Sequence, residues 1–152
     1  MEKALRRPSW FSWIVAVLLP LQFLPMPWGL NRQDNPPVVL EPAWVSPEVR
    51  ALAVRACFDC HSNETAWPWY RSVAPVRWLV SHDVHEGRRH LNFSDRRVPS
   101  RHADDAAGEV REGEMPPAIY TPLHSASKLS AKERTKLADA FATMFGEAKT
   151  AH

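Results

Sequence analysis

Charge is missing from the chain between Arg7 and Arg32. Residues 10–30 fill that gap with Trp, Phe, Ile, Val and Leu, a run long enough to cross a bilayer as a helix. Its lack of charge excludes an ordinary solvated segment, and a domain of this size could hardly enclose it as a core helix. The run also lacks an Ala-x-Ala cleavage site and holds Pro20, Pro25 and Pro27, so residues 1–30 read as a retained membrane anchor in preference to a removed signal peptide. Lys3, Arg6 and Arg7 precede it. The positive-inside rule then keeps the N-terminus in the cytoplasm and sends the rest of the chain across the inner membrane, facing the periplasm.

Sustained apolar–polar alternation is absent too, as is any internal repeat, which excludes a sheet-based or solenoid reading. Nor is there an excess of one charge. Without residues 1–30 the basic residues fall from 19 to 16 and the acidic ones from 17 to 16, so nothing suggests a nucleic-acid partner. Residues 71–101 carry seven Arg against three acids, and residues 104–114 carry five acids against Arg111; both fit a mixed, solvated surface. The 152 residues allow one compact domain and an appendage.

What is present reads as all-α. Residues 31–44 hold Pro36, Pro37 and Pro42 without a helical period and suggest a stiff linker between anchor and domain. Residues 45–148 read as helices joined by Pro-rich loops. Ser46, Pro47 and Glu48 open the first, in which Val49, Leu52, Ala53, Ala56, Cys57 and Cys60 share one face. A second is expected from about Pro75 to Arg89, with Gly87 a weak point. A third is expected over residues 101–112 behind Ser100, ending at Gly113. The last starts at the capping box Ser130-Ala131-Lys132-Glu133 and runs to Gly146. The long stretches 62–74 and 92–99 ask for something to wrap around.

Only two cysteines occur, and in an exported chain they would ordinarily pair as a disulfide. The residue after the second changes that reading. Cys57-Phe58-Asp59-Cys60-His61 is the attachment signal for a c-type haem: two thiols three residues apart reach the two vinyl groups, and the adjacent imidazole comes under the iron. A redox-active Cys-x-x-Cys would call for a strand–helix–strand setting, and a structural zinc site would need a second pair of ligands. One covalent haem c is therefore expected, on Cys57 and Cys60, with His61 as an axial ligand.

For the opposite face of the iron the favoured candidate is Met115, in the Pro-locked loop Gly113-Glu114-Met115-Pro116-Pro117; His82 and His85, or His90 and His124, are the alternatives, as is an open iron. Trp67, Trp69 and Trp78 are candidates to cover the porphyrin, Arg77 or Arg88 to meet its propionates, and the Pro75 carbonyl to orient the proximal imidazole.

The order Cys57-Phe58-Asp59-Cys60-His61, Trp67-Pro68-Trp69-Tyr70, Glu86-Gly87-Arg88, Leu91-Asn92-Phe93-Ser94 and Gly113-Glu114-Met115-Pro116-Pro117 resembles the bacterial haem-binding domain family of small c-type cytochrome proteins, over residues 42–148. More distantly it is similar to class I cytochromes c. The resemblance implies a small cytochrome c-like helical domain wrapped around one haem, here behind an N-terminal transmembrane helix. The expected function is single-electron transfer between larger redox partner proteins, with no catalytic residues of its own. A haem-based sensor or accessory subunit with a labile sixth ligand, or a small peroxidase-like enzyme, are the other readings.

Overall fold

Three of the helices begin where the chain supplies a capping oxygen. The computed structural model describes residues 9–25, 33–97 and 103–146. Ser9 accepts from the Ser12 amide at the head of α1 (Trp10–Leu21), Ser46 from that of Val49 at the head of α2 (Pro47–Ala56), and Ser130 from that of Glu133 at the head of α6 (Ala131–Phe145). The Glu133 carboxylate returns the bond to the Ser130 amide, completing the expected capping box. Between them lie α3 (Phe58–His61), α4 (Val76–His90) and α5 (Ala106–Glu112), with 3₁₀ turns at Trp69–Ser72 and Ser125–Ser127. The described residues are all-helical, with one isolated bridge from Leu40 to Asp95.

Two expected helices are shorter than their sequence patterns. The third begins at Ala106, behind Asp105, whose side chain makes no capping bond; Ser100 lies outside the described residues. It does end at Gly113, in the left-handed region (φ 87°) as a C-terminal cap requires. The N-terminal helix has only 12 residues, about 18 Å against a hydrocarbon core of about 30 Å. No helix among the described residues is long and apolar enough to cross a membrane, so the expected transmembrane helix is replaced by a shorter apolar one. Pro20 removes an amide donor near its end, and Gln22 turns its side chain to the Leu18 carbonyl and to both backbone groups of Ala74. Residues 1–8 and 26–32 lie outside the described residues.

The chain divides into two units. One takes residues 1–33 and 68–82: α1, the Trp69–Ser72 turn and the start of α4. Gln33 holds it together by donating to the Arg71 carbonyl and the Ser81 hydroxyl.

The other unit takes residues 34–67 and 83–152 and contains the main core. The face of α2 read from the sequence is the buried one, Val49, Leu52, Ala53 and Ala56, and it packs with Leu137, Ala138 and Phe141 of α6 and Ala107 and Val110 of α5. Phe93 sits at the centre of the aromatic part. Its ring lies 5.4–5.7 Å from those of Trp44, Phe58 and Phe141. The Pro-rich segment, read from the sequence as a stiff linker, bonds to this unit from residue 34 onward. The amides of Val39 and Leu40 donate to the Ser94 carbonyl, and Glu41 pairs with Arg50.

Candidate cofactor site

α2 stops at Ala56 because Cys57 leaves helical geometry (φ −127°), and the chain restarts for the single turn α3. The amides of Cys60 and His61 both donate to the Cys57 carbonyl, at 3.2 and 2.9 Å, so the two cysteines close one turn. Both thiols are free and half-buried. Burial, reinforced by Cys60, pushes the Cys57 thiol up to about 12. Burial, Asp83 and Asp59 do the same to Cys60.

His61 is held from two sides. Its Nδ1 lies 3.1 Å from the Leu91 carbonyl, and its ring meets Phe93 edge-on at 6.3 Å. Burial lowers its pKa, with the Leu91 and Gly87 carbonyls opposing, so the imidazole is neutral at neutral pH. With Nδ1–H donating to Leu91, the lone pair of Nε2 is left for a metal. The Pro75 carbonyl, the partner expected from sequence, accepts from the Trp78 amide instead.

Gly87 explains how α4 reaches this turn. A Cβ at that position would lie 2.5 Å from the Cys60 carbonyl oxygen and 2.9 Å from its carbon. Backbone meets backbone there, and only glycine permits it. The next residue locks the loop that follows. Arg88 donates from Nε to the Ser62 carbonyl (2.7 Å), from Nη1 to the Asp34 carbonyl, and from Nη2 to Asn35 Oδ1 and Thr65 Oγ1. Asn35 also donates to the Thr65 carbonyl and accepts from the Trp67 indole. The segment after α4 closes the cradle: the Phe93 amide donates to the His61 carbonyl at 2.7 Å, and Ser94 Oγ accepts from the Asn63 amide.

On the remaining side, Tyr120 donates its hydroxyl to Asp59, one of the two residues between the cysteines, and stacks on His124 at 3.9 Å. This bond fixes the loop that starts at Gly113. Met115 in that loop is half-buried against the core, as is Cys57. The Met115 amide donates to the Glu109 carbonyl.

One imidazole beside two free thiols in a Cys-x-x-Cys-His turn, with no group of three His, Cys, Asp or Glu side chains able to hold a metal ion among the described residues, suits a haem better than a bare ion. A family model for a haem-binding domain matches residues 16–143. The chain belongs to the haem-binding domain family. No curated protein and no solved structure matches it.

In this haem-binding domain the remaining sequence candidates fall in different places. Trp67 is half-buried on Asn35, whereas Trp69 and Trp78 belong to the unit of residues 68–82, Trp69 being 81 % exposed. Arg88 is engaged with the loop after His61. His82 and His85 are exposed on α4, His85 beside Glu86, and His90 also faces Glu86. Sequence reasoning passed over Phe93, Asn35 and Tyr120. Phe93 carried a signal in Leu91-Asn92-Phe93-Ser94; Asn35 carried none.

Proposed function

We propose that this haem-binding domain carries a single c-type haem, bound covalently through Cys57 and Cys60, with His61 and Met115 as axial ligands, and passes single electrons between redox partner proteins at the periplasmic face of the inner membrane. The observation that carries the reading is the His61 imidazole, held neutral and oriented by the Leu91 carbonyl beside two unpaired cysteines. When bound, the haem supplies one-electron exchange at its iron.

The chain's residues account for the rest. Leu91 fixes the tautomer and direction of His61. Gly87 and Arg88 hold the turn and the loop after it, so both thiols keep their spacing. Phe93 packs edge-on against the imidazole and is itself backed by Phe58 and Trp44. The half-burial of Met115 against the same core as Cys57 favours it over His82 and His85, which are exposed. The apolar surface of α1 supports tethering: a helix apolar on every side belongs in lipid.

Carbon monoxide tests the ligand set. With thioether ligation, the reduced protein binds the gas slowly and the oxidised form shows the weak far-red band of sulfur on iron. Met115→Ala should abolish that band and accelerate gas binding by at least about tenfold, while keeping the haem. Rapid binding by the native protein would count for the sensor reading.

A further inference from the structure

The unit of residues 1–33 and 68–82 has a cleft of its own, of about 430 Å³. Gln22 and Leu24, just past the end of α1, line it together with Gln33, Arg71, Ser72 and Arg77. Arg71 and Arg77 are among its lining residues, and no carboxylate is among the described residues that line it. Arg77 donates Nη2 to the Leu24 carbonyl, and its guanidinium lies 5.9 Å from the Trp78 ring. Its Nε is buried without a hydrogen-bond partner among the described residues. An unpaired buried donor of this kind is costly, and an acceptor brought to Arg77 would relieve it.

The surroundings indicate where the acceptor comes from. Trp10, Phe11, Trp13, Val17 and Leu19, spread around the whole of α1, are each more than half exposed. In the same unit Trp69 is almost bare, and Val73, Val76 and Leu79 are exposed. An apolar helix that ends at a basic cleft, with an exposed Trp, matches the layering of a bilayer: acyl chains, then interfacial aromatics, then phosphates.

Resting on the membrane reading above, we infer that this cleft binds the phosphate of an anionic phospholipid headgroup, with Arg77 and Arg71 as the donors and α1 among the acyl chains. Guanidinium matches the geometry of phosphate oxygens, and no acid is among the described residues that line the cleft. Binding would fix the depth and orientation of the protein on the membrane.

The test uses the full-length, haem-loaded protein and two measurements. Flotation on vesicles reads membrane attachment; native mass spectrometry from detergent reads retained lipid, comparing phosphatidylglycerol with phosphatidylcholine of the same acyl chains. The inference expects attachment to both vesicles but retention of phosphatidylglycerol alone. Arg77→Gln and, as a second variant, Arg71→Gln should weaken that retention about tenfold with the haem spectrum and flotation unchanged. Equal retention of both lipids, or indifference to both substitutions, overturns the inference while leaving the membrane reading intact. Inorganic phosphate that binds and displaces the lipid at the lipid's own affinity also overturns it, since the site would then take a free anion. Failure to float on any vesicle removes the membrane reading itself, and this inference with it.

Discussion

Gly87→Ala is expected to destabilise the haem-binding domain by about 2–3 kcal/mol, even though alanine is the better helix former by about 1 kcal/mol. The new methyl would stand 2.5 Å from the Cys60 carbonyl oxygen and 3.0 Å from the Cys60 Cβ. A flexible side chain could swing aside, but a backbone carbonyl in the turn that carries both thiols cannot do so without moving that turn. The damage therefore reaches the site as well as the fold. The variant should have a lower urea midpoint and a reduced fraction of chains carrying haem. Gly108→Ala is the matched control. Gly108 also lies inside a helix, but a methyl added there would meet nothing within 4 Å, so that variant should gain about 0.5–1 kcal/mol. If both substitutions stabilised the protein, the close approach of α4 to Cys60 would be wrong.

Arg88→Ala should cost about 3–5 kcal/mol, because one guanidinium donates to the Ser62 and Asp34 carbonyls, Asn35 Oδ1 and the Thr65 hydroxyl together. Its removal leaves the half-buried loop after His61 without the cation that ties it. Burial lowers the pKa of Arg88, but the group stays charged throughout the working range, so this contribution is independent of pH near neutrality. Lysine should recover only part of the loss, since a single ammonium cannot span four acceptors. Urea midpoints of the three proteins check the order native, Arg88→Lys, Arg88→Ala. A propionate-binding role alone would predict normal stability of the haem-free chain in both variants.

These two residues show what could and could not be read before the structure. Side-chain signals with a local cause were legible: Ser46 before Pro47, the box from Ser130 to Glu133, and the buried face of α2. The attachment turn was legible because its chemistry demands a fixed spacing. Gly87 was visible only as a weak point in a helix, since propensity registers the cost of glycine and not the backbone packed against it. The Leu91 carbonyl carries no side-chain signature at all, so Pro75 was an equally reasonable guess. The Pro-rich residues 34–44 lacked a period and read as a spacer, yet Asn35 and the Pro37 carbonyl bond to the loop after His61. A long run of apolar residues predicted a full membrane span, while Pro20 and Gln22 close the helix at Leu21.

Tyr120 illustrates a further limit. Its bond to Asp59 links positions 61 residues apart, and no local pattern announces such a pair. The consequence is that the loop bearing Met115 is tied to the turn bearing the cysteines by this polar contact together with core packing.

The central claim, covalent haem on Cys57 and Cys60, is tested most directly by the intact mass of the native chain after expression in a host able to attach haem. The expected mass is that of the polypeptide plus one haem, an increment that survives denaturation and is lost from the Cys57→Ser/Cys60→Ser protein. A chain that keeps the bare polypeptide mass, with its pigment extracted by acid and organic solvent, would contradict it.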